Sequence, residues 1–174
     1  MSKKKLRHEV SAMAFINSAR SYHGAANRLF ESQPFRDPTY FLYFHTVELL
    51  LKAFLRSENV PILGTRRQSH RLTDLYEECR NLGLVIGPHD RFEIGNIVSL
   101  LDSGNEYQSL RYFNLESQVM PDLRWTHEVV AQLMRAVESK LGAPSPQNVR
   151  PGRGVKGVMV IGQPVPQDDH RAAT

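Results

Sequence analysis

Residues 37–59, DPTYFLYFHTVELLLKAFLRSEN, constrain the fold more than any other part of the chain. Asp37 can accept a hydrogen bond from an orphan backbone N–H at a helix start. Pro38 then suits the first helical position, where its missing donor costs nothing. From Tyr40 to Leu55 the segment is apolar almost all round, the pattern of a helix enclosed by neighbours on most sides. One stripe interrupts it. His45, Glu48, Lys52 and Arg56 are spaced 3, 4 and 4 apart, which places them on one helical face. A central helix with a single polar stripe implies either a solvent-facing seam or a site.

A chain of 174 residues suffices for one domain with a sizeable core and a tail. A hydrophobic content of 41% beside 23% charged residues is that of an ordinary soluble globular protein. The net charge of +4 permits an acidic partner such as RNA or nucleotide without demanding one. Cys79 is the only cysteine, so no internal disulfide can form, which fits a reducing compartment. No apolar run reaches the roughly 18–20 residues that span a bilayer. The opening MSKKKLRHEV is basic but has no apolar stretch behind it, so the expected location is cytoplasmic. With no H-E-x-x-H and no Cys/His cluster, neither a structural metal nor a cofactor is expected.

Residues 1–7 read as a basic, fraying arm. A first helix is predicted from about Glu9 to Glu31, with Phe15, Ala19, Tyr22, Ala26, Leu29 and Phe30 on its apolar side. The prolines of SQPFRDP break it. The central helix follows and must stop before Pro61, since the residue preceding proline is driven out of the α region. Ser69 is a plausible cap for a third helix through Asn81, where Leu72, Leu75, Cys79 and Leu82 form a stripe and Gly83 a stop. Asp90 and Glu93 have capping-box spacing for a fourth helix to about Asp102, burying Ile94, Ile97, Val98 and Leu101. Ser103-Gly104-Asn105 reads as a turn or kink. A fifth helix is predicted from near Pro121 to Gly142, with Thr126, Val130, Leu133, Val137 and Leu141 inward.

The expected fold is therefore all-α: an up-and-down four- to five-helix bundle over residues 8–142. Residues 143–174 change character, being rich in proline, glycine and polar residues. They read as a disordered tail, because they cannot bury enough apolar area to offset chain entropy. Within them, Val155 to Gly162 could pair as a strand with another chain or remain an apolar patch. No strand-rich half and no glycine-rich phosphate loop is present, which excludes doubly wound nucleotide-binding folds.

In this order the elements resemble the HEPN domain family of small helical bundles. YFHTVELLLKAFL, residues 43–55, is similar to that family's aromatic-histidine-x-x-E-x-x-x-K-A helix. SHRLTDL, residues 69–75, resembles its G-H-x-L-x-x-L entry to the next helix, with Ser69 where glycine is common. YQSLRYF, residues 107–113, resembles its Tyr-x-x-x-Arg-Tyr segment. The likeness covers roughly residues 10–142. It implies a homodimer that binds nucleotide or RNA, as a metal-independent ribonuclease or a toxin–antitoxin component. The alternative is a non-catalytic interaction module that partners a separate nucleotidyltransferase-type protein. The family's Arg-x(4–6)-His nuclease motif is not intact. After Arg111 come Leu115, Glu116, Ser117 and Gln118 at the relevant positions; Arg66 and His70 are one residue too close, Arg124 and His127 two.

Three groups are candidates. His45 with Glu48 and Lys52 could exchange protons and hold phosphate, or form a structural pair or dimer seam. Arg66 and Arg67, just before His70, could grip phosphate oxygens, or be a solvated basic loop. Tyr107, Arg111 and Tyr112 join a fixed cation to aromatic faces, suited to stacking a base, or else pack the bundle while Arg111 pairs with Glu48 or Glu106. In a cleaving protein, His45 or His70 would be the acid–base group and Arg111 would stabilise the strained phosphate, with Lys52, Arg66 and Arg67 as phosphate contacts. Trp125 reads as core or interface.

Overall fold

The computed structural model describes residues 10–32, 36–62, 70–87, 91–105 and 119–142. These residues form five helices and, among them, no strand. Helix α1 spans Ala12–Ser32, α2 Arg36–Ser57, α3 Leu72–Asn81, α4 Arg91–Gly104 and α5 Leu123–Leu141. The predicted all-α bundle is what forms. The tail from residue 143, with its Val155–Gly162 segment, lies outside the described residues, as do the basic arm and Ser69.

Helix α2 is the hub, packed against each of the other four helices. Its nearly all-round apolar composition has that consequence: Tyr43, Val47, Leu50, Leu51, Phe54 and Leu55 are all fully enclosed. Asp37 falls in its first turn rather than before it, where its charge still complements the positive helix end. Tyr40 ties α2 to the start of α5 by donating its hydroxyl hydrogen to the Pro121 carbonyl.

The helix stops are local. Asn59 takes a left-handed φ of 61°, and Val60 N–H reaches back to Leu55 O at 3.0 Å while Asn59 N–H reaches Arg56 O at 3.2 Å. That paired closure ends α2 at Ser57, four residues ahead of Pro61, so asparagine does the stopping that the sequence assigns to the proline. The same closure ends α3 around Gly83, at φ 89°, with Leu84 N–H on Cys79 O and Gly83 N–H on Arg80 O. A Cβ at Gly83 would meet no atom within 4 Å, so only the backbone objects to a side chain there. Gly83→Ala should therefore lower stability by about 1 kcal/mol, read as a shift in urea midpoint at unchanged slope.

Two stripes differ from their sequence-based reading. Leu82 is 40% exposed, because it is the capping residue beyond α3, and Tyr76 is buried in its place. On α1 the enclosed residues are Ile16, Ala19 and Ala26, while Phe15 packs partly buried against them. Helix α5 begins on Asp122, whose carboxylate accepts from Trp125 N–H at 2.9 Å, and ends on left-handed Gly142. No helix among the described residues is long and apolar enough to cross a membrane.

Candidate functional site

The middle of the polar stripe of α2 does not face solvent. Glu48 and Lys52 are 3% and 7% exposed, among the most deeply enclosed charged side chains in the bundle. Their i,i+4 spacing brings Lys52 Nζ to Glu48 Oε1 at 2.5 Å. His70, just ahead of α3, reaches across and places Nδ1 2.8 Å from that same oxygen. His45, one turn before Glu48, sets its Nδ1 3.3 Å from Oε2, close enough for an ion pair but not aligned as a hydrogen bond. Tyr22 of α1 meets the His45 ring edge-on at 4.4 Å, and Phe41 lies nearly parallel to it at 6.0 Å. One carboxylate thus collects a lysine and two histidines, and of these His70 alone stands well out in solvent, its side chain 68% exposed.

Burial by itself would push the Glu48 carboxyl upward. The contacts from His45, Lys52 and His70 outweigh it and hold the group down at about 2. An ionised carboxylate only accepts, so the Lys52 and His70 nitrogens bonded to it carry hydrogen. For His70 this fixes the proton on Nδ1 and makes Nε2 the ring's proton-exchanging position. The opposite unit charges of Glu48 and Lys52 cancel. The net charge of the group is then set by its two imidazoles: zero when both are neutral, positive when either is protonated.

His45, Lys52 and His70 are therefore brought together. Arg66, Arg67, Tyr107, Arg111 and Tyr112 lie outside the described residues. The ammonium of Lys52 is turned to Glu48, so a phosphate would have to compete with that carboxylate for it. Glu48, the centre of the group, reads in the sequence as a pairing acid for Lys52 or Arg111 and not as the group's centre. The available signal was its place in an otherwise apolar helix, where an acid must find partners inside the fold.

The sequence reading also missed a second polar group. Tyr43, fully enclosed on α2, has its hydroxyl 2.8 Å from His127 Nδ1 on α5 and donates to Asn27 Oδ1 on α1 at 3.2 Å. His23 of α1 lies nearby, its ring 6.5 Å from His127 and nearly parallel to it. These residues come from three separate stretches, and no spacing links them. The thiol of Cys79 is buried, donates to Leu51 O and is pushed well above its ordinary range by burial, which leaves it inert. Among the described residues, no cluster of three or more His, Cys, Asp or Glu is arranged to hold a metal ion. Compared with protein-family models, curated proteins and solved structures, the chain matches none.

Proposed function

We propose that the chain is a HEPN-like helical domain that pairs with a second copy and binds nucleotide or RNA, with His70 as its proton-transfer group. The observation that supports this reading is the contact of an exposed imidazole with a carboxylate held ionised. Such a carboxylate fixes the ring's orientation and tautomer and stabilises the imidazolium formed when the ring takes a proton. Phosphate contacts fall to Arg66 and Arg67, near neighbours of His70 in sequence, and to Arg111. Tyr107 and Tyr112 supply faces for a base. Lys52 serves as a positioning residue that keeps Glu48 charged and in place. In a cleaving protein His70 exchanges the proton and Arg111 stabilises the phosphate.

The second reading is the non-catalytic interaction module that partners a separate nucleotidyltransferase-type protein. It is favoured by the cancellation of charge between Glu48 and Lys52, which leaves the group neutral whenever both imidazoles are neutral.

Incubation of the purified chain with mixed RNA, beside His70→Ala and Arg111→Ala variants, separates the two. Under the first reading His70→Ala lowers cleavage about a hundred-fold. Its melting temperature stays near that of the parent, because the ring is mostly solvent-exposed. A chain that binds without cleaving should release RNA steeply as salt rises. Neither cleavage nor salt-sensitive binding would leave the module.

A further inference from the structure

The second polar group lies where α1, α2 and α5 meet, and nothing in the proposed function uses it. His127 of α5 is stacked flat on Phe30 of α1, with ring centres 4.6 Å apart and planes within 7°. The same imidazole touches the Tyr43 hydroxyl through Nδ1. His23 faces it from α1, 6.5 Å away and 18° from parallel. The Nε2 atom of His23 is enclosed and has no hydrogen-bond partner. A ring nitrogen in that position is tolerable as a lone pair and costly as an N–H carrying positive charge.

We propose that the junction of α1, α2 and α5 is an acid-sensitive latch, in which His23 and His127 hold together only while at most one of them carries a proton.

The two imidazoles are not equivalent. When His127 is protonated, Tyr43 answers it: the hydroxyl accepts from Nδ1–H and sends its own hydrogen to Asn27 Oδ1. His23 has no such answer at Nε2. The other charged groups facing it settle the balance. Glu138 of α5 would favour a charge on His23, but its carboxylate is engaged by Arg20 at 2.7 Å. Arg135, on the same helix, opposes it, as does His127 once charged. On the Tyr43 side, burial and then the Glu31 carboxylate keep the phenol protonated, so α2 supplies a hydroxyl and no counter-charge. Burial first, then His127 and Arg135, hold His23 below its ordinary value, with Glu138 working against them.

A histidine depressed in the folded state leaves stability intact above its unfolded value and removes it as pH falls through the folded one. The stability at risk here holds α1 against α5. The loss sets in at the unfolded imidazole value, above the pH at which any acid effect at Glu48 begins.

The test is thermal unfolding of the full chain at about pH 7.5 and about pH 5.5, for the parent and for His23→Phe, which keeps a ring and removes the titration. The histidines away from this junction contribute alike to both proteins. The parent should lose about 2–4 °C more than the variant over that interval. Parallel profiles would overturn the latch. Should His23→Phe not fold, the ring resonances of the parent serve instead: His23 must titrate below an ordinary imidazole, and a midpoint at or above it ends the proposal.

Discussion

A Glu48→Gln variant is expected to unfold with about 3–5 kcal/mol less free energy than the parent chain. The amide keeps the volume and one acceptor, but it leaves the ammonium of Lys52, a residue only 7% exposed, without a counter-charge. Breaking one half of an enclosed ion pair costs far more than the pair contributes, because the surviving charge has lost its water and its partner together. Glu48→Gln combined with Lys52→Met removes both charges and should regain most of the loss. Urea titrations at a common slope measure all three differences; a single-variant loss below about 1 kcal/mol would mean that water reaches the ammonium. Acid gives the same interaction by another route. The Glu48 carboxyl is lowered from 4.5 to about 2 on folding. Its contribution is thus fully present above the unfolded value and is lost as pH falls through the folded one. At roughly 1.4 kcal/mol per pH unit, that contribution is on the order of 3 kcal/mol. The glutamine variant should lack this part of the acid slope.

This pair also shows where sequence reasoning reaches and where it ends. The spacing of Glu48 and Lys52 determines that they touch, since residues four apart on a helix must. It says nothing of whether the shared face meets water, because that depends on which helices pack there. The apolar run of α2 foretold enclosure, and a helix enclosed on most sides leaves its polar residues little room outside. Joined together, those two observations already point to an enclosed charge. The arrival of His70 on Glu48 was not legible. It depends on how α3 packs beside α2, which sets a contact 22 residues apart in sequence. The His23–Tyr43–His127 group is more distant still, spanning α1, α2 and α5. Helix ends behave in the opposite way. Gly83 and Gly142 act where the chain reads them, because left-handed closure is a property of a few consecutive residues. Asn59 could have been read likewise, as the non-glycine residue that best tolerates that conformation, had the proline beyond it not already supplied a reason to stop.

The start of α3 carries the second large prediction. Arg71, at the capping position, offers no side-chain hydrogen bond to the helix. Asp102, on α4, does the capping from 30 residues away: its carboxylate accepts from Leu72 N–H at 3.0 Å, Thr73 N–H at 3.2 Å and the Thr73 hydroxyl at 2.6 Å. The negative charge also meets the positive end of the α3 dipole. Asp102→Ala strips three donors of their acceptor at once. A local cap replaced by alanine costs about 0.5–2 kcal/mol, and hydrogen bonds to a charged group run higher, so a loss of about 2–3 kcal/mol is expected. Asp102→Asn keeps an acceptor but loses the charge, and should fall between. His70 lies two residues before α3, so releasing the first turn of that helix also releases the imidazole from Glu48. Asp102→Ala should therefore shift the His70 ring resonances toward those of a free histidine while leaving those of His127 unmoved, because His127 is held by Tyr43 and Phe30 on other helices. If both signals move together, the variant has loosened the whole bundle, and the α4 carboxylate is not what holds His70 in register.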